Sequence, residues 1–166
     1  MPLTPAPLEL TAAVHLDRRW LEEHVPHQGR MCLLDAVLSW DTTRIRCRAT
    51  SHRRADNPLR GRGRLGAVAG IEYAGQAMAA HGALMAGLLG TPVRTGYLAS
   101  VRNLKLAVTR LDDLEGDLHV CAERIAGDTG TALYAFVLMS ATRELLSGRA
   151  GIVFGVLDLA DGEERS

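Results

Sequence analysis

Glu72 and Gln76 are the residues of this 166-residue chain whose setting most calls for a chemical explanation. They lie in Gly66-Ala67-Val68-Ala69-Gly70-Ile71-Glu72-Tyr73-Ala74-Gly75-Gln76-Ala77-Met78-Ala79-Ala80-His81-Gly82, a stretch otherwise nearly all small or apolar. An ionised carboxylate inside an apolar core costs several kcal/mol unless it is paired. A chain keeps one there to do chemistry or to close a polar network. The chemistry open to a carboxylate is proton transfer, and histidine is its usual partner. Among the histidines, His27 follows Pro26, which fixes the backbone before it, and precedes Gly29, which points to a tight local path. His52 lies in the loop that leads into the Glu72 segment. His81 is nine residues beyond Glu72, so on a regular helix the two sit about 13 Å apart, too far for a dyad within one chain. His24 and His27 form a His-x-x-His pair, but the proline between them and the lack of an acidic ligand nearby argue against a metal site. His15 and His119 are expected at the surface or on a strand.

These side chains need elements to hold them. The apolar stretch predicts a helix from about Leu65 to Leu89, ended by Gly90-Thr91-Pro92. Glu72 then falls in its first turns, with Val68, Ala69, Gly75 and Gln76 on the same face. Each internal glycine costs roughly 0.5–1 kcal/mol relative to alanine, a loss expected where a sheet or another backbone must come very close. Before it, a short helix is predicted over Leu16–Glu23, ending ahead of Val25-Pro26. Met31–Leu38 is expected to begin a sheet. Arg44-Ile45-Arg46-Cys47-Arg48-Ala49-Thr50 alternates as a half-buried strand should, and residues 51–64 read as a loop. After the long helix come four β-like segments: Gly96–Val108, Leu118–Ile125, Thr131–Met139 and Glu144–Phe154. Their short connections suit antiparallel hairpins. One long helix set apart from a run of strands argues for the α+β class. A single domain spans 1–166, with a loose proline-rich lead over 1–10 and a polar tail over 156–166.

Composition narrows the function. Hydrophobic residues make up 47% and aromatics only 4%, a globular make-up poor in stacking platforms for single-stranded nucleic acid, so no nucleic-acid partner is expected. Formal net charge is zero, yet Arg44–Arg64 holds eight arginines against one acid, Asp56. Such a stretch is either a solvated loop or a contact for an anionic partner. Cys32, Cys47 and Cys121 are odd in number and widely spaced, which fits small buried side chains in a reducing compartment rather than disulfides or zinc. The N-terminus lacks a basic region followed by an apolar run, and the apolar helix is broken by Glu72, Gln76, His81 and glycines. Neither a secretory signal nor a membrane span is expected, and the chain is placed in the cytoplasm.

Two blocks carry a family resemblance. Val25-Pro26-His27-Gln28-Gly29-Arg30-Met31-Cys32-Leu33-Leu34-Asp35 is similar to the Pro-His-Arg-x-Pro-[Phe/Met]-Leu-Leu-[Val/Leu]-Asp entry of 3-hydroxyacyl-ACP dehydratases of the FabZ type. Gly70-Ile71-Glu72-Tyr73-Ala74-Gly75-Gln76-Ala77-Met78-Ala79 resembles their central helix. Asn57-Pro58-Leu59, Gly70-Ile71-Glu72-Tyr73 and Gln76-Ala77-Met78-Ala79-Ala80-His81-Gly82 together resemble the ApeP-like dehydratases more specifically. The likeness extends over roughly 22–155. There is one departure: where FabZ enzymes carry Gly-His-Phe-Pro with the catalytic base, this chain has Asp56-Asn57-Pro58-Leu59-Arg60-Gly61-Arg62-Gly63.

The resemblance implies a hotdog fold, in which an antiparallel sheet wraps one long helix. It implies a cofactor-free dehydratase acting on (3R)-3-hydroxyacyl thioesters of acyl carrier protein, in a homodimer or higher oligomer whose site spans two chains. Glu72 takes the family's carboxylate role. The base is expected to be His27, with His52 the alternative. Gln76, Gly70, Arg60 and Arg64 are expected to meet substrate or its phosphopantetheine arm. A hotdog acyl thioesterase, and a partner subunit that keeps the fold without catalysis, stand as rivals.

Overall fold

The computed structural model describes residues 15–27 and 29–155, so the loose lead and most of the polar tail fall outside the described residues. Helix α1 (Arg18–His24) starts where the Asp17 carboxylate accepts the Trp20 N–H at 3.1 Å, a cap that satisfies one of the free donors of the first turn. Strands β1 (Ala36–Trp40) and β2 (Arg44–Ala49) form a hairpin. Its turn is held by Asp41 Oδ1, which accepts the Thr43 and Arg44 amides, both at 2.8 Å. A 3₁₀ turn at Ala67–Ala69 leads directly into helix α2 (Gly70–Leu89), and no side chain caps its start. Gly90, at φ 66°, ends it, in the left-handed conformation glycine adopts at little steric cost. Strands β3 (Gly96–Leu106), β4 (Leu118–Gly127), β5 (Thr131–Ser140) and β6 (Arg143–Phe154) follow.

All six strands join one antiparallel sheet in the order β1-β2-β4-β5-β6-β3. Alternation decides which face meets the helix. Ile45, Cys47 and Ala49 of β2, Val120 of β4, and Tyr134 and Phe136 of β5 are buried. With Tyr73, Ala74 and Ala77 of α2 they form the core. The α+β expectation and the sheet-wrapped helix are both what the chain adopts.

One expectation needs correction. The glycines of α2 do not share one purpose. A Cβ at Gly70 would come within 2.5 Å of Leu146 Cδ2, so there the sheet does press on the helix. A Cβ at Gly75, Gly82 or Gly87 would meet nothing within 4 Å. Those positions face outward, away from the chain's own sheet. Strand β3, moreover, is an edge. Tyr97, Leu98 and Leu106 on it are exposed, as are Leu88 and Leu89 at the end of α2 and Val93 in the connection that follows. A long edge strand with exposed apolar side chains is an unpaired hydrogen-bonding template. Among the described residues no helix is long and apolar enough to cross a membrane.

Candidate active site

Glu72 is exposed, not buried among the apolar side chains of its helix. It sits in the first turn of α2, one turn after Val68, which is 59% exposed. Gly75 and Ala79 continue the same outward stripe. Among the described residues no hydrogen bond or ion pair engages its carboxylate. The cost of burying a charge therefore does not arise in the single chain, and the carboxylate is presented at the positive end of a helix.

Gln76, one turn on, is 1% exposed. Its Oε1 accepts the Leu33 amide at 2.8 Å, and its Nε2 donates to the Met31 carbonyl at 2.6 Å. Expected to touch substrate, it instead spends both amide atoms clamping the 31–33 segment onto the helix. That segment continues from His27 through Gly29, whose φ of 61° makes the turn. Arg18 donates to the Gly29 carbonyl at 2.9 Å and ties the turn to α1. His27 is half-buried, and its Nδ1 is buried with no hydrogen-bond partner. No bond joins it to Glu72 within the chain.

A second clamp lies beside Glu72, and sequence reasoning missed it. The buried Tyr73 hydroxyl lies 2.7 Å from Ser51 Oγ and 3.1 Å from Asn57 Nδ2. Ser51 Oγ donates to the Leu33 carbonyl. Asn57 Nδ2 is a donor, so Tyr73 accepts from Asn57 and donates to Ser51. The Asn57-Pro58-Leu59 block was recognisable in the sequence, and its purpose is this anchor. It fastens the loop ahead of the helix to α2 itself.

His52 stands in that loop but is fully buried. Its Nε2 donates to the Leu114 carbonyl at 3.2 Å, while Nδ1 has no partner. Burial lowers its pKa, so it is neutral near neutral pH. Gly70 lies under Leu146 and Leu138, and its N–H bonds back into the preceding turn. Arg60 donates to the carbonyls of Arg54, Gly63 and Arg53, and pairs with Asp112 at 3.6 Å. It organises the loop. Arg53 and Arg54 are likewise engaged, by Asp117 and Asp56. Arg64 is exposed, and no side-chain bond engages it among the described residues. His81 is buried between the Tyr134 hydroxyl at 2.8 Å and the Asp41 carbonyl at 2.9 Å, a core histidine with both nitrogens satisfied. No group of residues suited to a metal ion occurs among the described residues.

Comparison with known proteins adds a family. The family model described as "ApeP-like: ApeP dehydratase" matches residues 20–156. No curated protein matches the sequence. Among solved structures, the dehydratase heterocomplex ApeI:P from Xenorhabdus doucetiae is similar at TM-score 0.74 and 18% identity, over 82% of this chain and 91% of that chain. A putative thioesterase from Shewanella oneidensis is similar at 0.58 and 12%, over 84% and 94%. Zebra fish thioesterase superfamily member 2 follows at 0.56 and 14%, over 83% and 93%. At these identities the structures establish the hotdog fold alone.

Proposed function

We propose that this chain, which belongs to the ApeP-like dehydratase family, removes water from (3R)-3-hydroxyacyl thioesters of an acyl carrier protein. The product is the trans-2-enoyl thioester, as made in fatty acid, aryl-polyene or polyketide type synthesis. The observation that carries this reading is the placement of Glu72: reachable, unpaired, and at the start of a helix whose neighbouring surface is small and apolar. In the reaction a base takes the proton next to the thioester carbonyl. The electron pair forms the new double bond, and the hydroxyl leaves as water with a proton from an acid. Glu72 and a histidine divide these two transfers, and the partial positive charge at the helix start favours the negative charge gathering on the thioester oxygen.

His27 is the histidine this reading prefers. It has a buried nitrogen without a partner, and its segment is fixed to α2 through Gln76. His52, buried and held by Leu114, is the weaker choice. A second hotdog subunit completes the site. The apolar edge of β3 and the outward glycines of α2 are the surfaces such a subunit would cover. That subunit is a second copy in a homodimer, or a different hotdog chain. Glu72 then works with His27 of its own chain or with the equivalent histidine across the interface. Arg64 is free to meet the phosphate of the pantetheine arm or the acidic carrier protein. Proton transfer alone suffices, so no cofactor is invoked, and the cytoplasm is the expected setting.

The test is incubation with a panel of 3-hydroxyacyl carrier-protein thioesters, alone and with a candidate partner chain, followed by mass detection of water loss. Glu72→Gln is expected to lower turnover at least about 100-fold with the fold intact. Full turnover by Glu72→Gln would overturn the role of the carboxylate. Release of a free thiol in place of the enoyl product would establish the thioesterase reading. Full activity of His27→Ala with a dead His52→Ala would reverse the choice of base.

A further inference from the structure

The outer face of the sheet carries a second group of chemically capable side chains, remote from Glu72. Because Ile45, Cys47 and Val120 point at the helix, their alternating neighbours Arg46, Arg48 and His119 point the other way. The register makes Arg48 the direct partner of His119, and Arg46 the direct partner of Ser39 on β1. Residues two apart on a strand are separated by about 6.8 Å, and neighbouring strands by about 4.8 Å. The four side chains therefore share a patch about the width of a few side chains.

Every one of these groups offers a hydrogen. Arg46 Nη2 lies 3.4 Å from His119 Nδ1. A guanidinium cannot accept, so Nδ1 is the acceptor and the ring proton sits on Nε2. That leaves His119 Nε2–H, the remaining N–H groups of Arg46, and those of Arg48. Ser39 is 3% exposed, and its hydroxyl has no hydrogen-bond partner. Arg48 Nε is also buried and unpartnered. No carboxylate pairs with Arg46 or Arg48 among the described residues. Of the nearby acids, Glu123 pairs with Arg44 at 3.3 Å, Asp117 with Arg53 at 3.3 Å, and Asp35, whose amide donates to the Arg48 carbonyl, accepts from Thr50 Oγ1 at 2.6 Å. Burial, then Arg46, with a smaller opposing pull from Asp117 and a further push from Arg48, leave the His119 pKa below its ordinary value. Like charges side by side on a sheet are unfavourable, and a buried hydroxyl without a partner costs about 1–3 kcal/mol. Both costs vanish if an anion sits among the donors.

We infer that Ser39, Arg46, Arg48 and His119 form a binding site for a phosphate group on the outer face of the sheet. A carboxylate offers two oxygens in one plane. A phosphate offers three or four in different directions, which suits two guanidiniums, an imidazole N–H and a hydroxyl on one face of three adjacent strands. The site is independent of the Glu72 chemistry, since the whole thickness of the sheet lies between them.

The experiment titrates the full chain with inorganic phosphate, and separately with 4′-phosphopantetheine, at constant ionic strength. The His119 ring signals are followed by NMR and the heat of binding by calorimetry. Saturable binding that moves His119 is expected, weakened at least tenfold in Arg46→Gln and in Arg48→Gln, and a few-fold in Ser39→Ala. Arg19→Gln, which alters an exposed arginine of helix α1 paired with Glu23, should bind as the wild type does. Tenfold tighter binding of phosphopantetheine would assign the site to a carried phosphate, and equal or weaker binding to the free anion. If phosphate fails to move His119 in the wild-type chain, or moves it equally in both arginine variants, the site does not exist.

Discussion

Gly75→Ala and Gly82→Ala together test whether α2 is slim for the sake of a second subunit. In the single chain neither added methyl meets an atom within 4 Å. Only helix propensity then changes, by about 0.8–1.0 kcal/mol at each site in favour of alanine. The positions are seven residues, about 10 Å, apart, far enough for the gains to add to about 2 kcal/mol. For a chain of this size that raises the unfolding midpoint by about 4–8 °C. If another backbone must approach this face, the same methyls hold it off, and assembly weakens at least about tenfold, or about 1.4 kcal/mol. The double variant should therefore unfold at a higher temperature when dilute, yet assemble less well by sedimentation and turn over more slowly. Gly70→Ala is the internal control. Its Cβ would stand 2.5 Å from Leu146 Cδ2 and 3.0 Å from Leu138 Cδ2. Overpacking costs about 1–3 kcal/mol, which cancels or exceeds the propensity gain. A double variant that is more stable, fully assembled and fully active would refute the argument, because the outward glycines would then have no neighbour to serve.

Gln76→Ala should destabilise the fold by about 2–4 kcal/mol in denaturant melts, because it strands the Leu33 amide and the Met31 carbonyl together, and it should release the His27 segment as judged by faster amide exchange at Leu33. Asp112 is nearly buried and accepts from Arg110 and from the Leu65 amide, which holds its carboxyl well below the ordinary value of 3.8. Its stabilisation is complete above about pH 5 and is lost as pH falls through the depressed folded value; Asp112→Asn should cost about 1–3 kcal/mol at pH 7 and close that gap in acid. His81, held neutral by burial, contributes the same sense of dependence at higher pH, its stability being full above the ordinary 6.5 and declining below it. His81→Gln, which can still donate to the Asp41 carbonyl and accept from Tyr134, should flatten the stability curve between about pH 6.5 and 5 in urea titrations.

Much of the fold was legible because local patterns and tertiary demands agree. Arg44–Ala49 alternates since one face of β2 meets the core, and Gly90 ends α2 because the chain needs a left-handed residue there. What stayed hidden depends on partners far along the chain. Gln76 bonds to backbone 43 and 45 residues away, and His52 is buried against a carbonyl 62 residues on. Neither fact leaves a local trace. The exposure of Glu72 was hidden for a different reason. A helix that is apolar all round has no polar face to mark its outside, so periodicity placed Glu72, Gly75 and Ala79 on one stripe without saying what that stripe meets.

That ambiguity carries information about the molecule. A monomeric chain would gain by making the stripe polar, since exposed small and apolar residues earn no packing there. This chain keeps Val68 and Gly75 around an unpaired carboxylate, and keeps an apolar edge on β3. The conflict between a core-like sequence and a surface position disappears if the stripe is interior in the assembled protein. On that reading the carboxylate that seemed buried from sequence, and is exposed in the single chain, is enclosed again when the second subunit docks. The walls of the site are then the surfaces that have no partner within one chain.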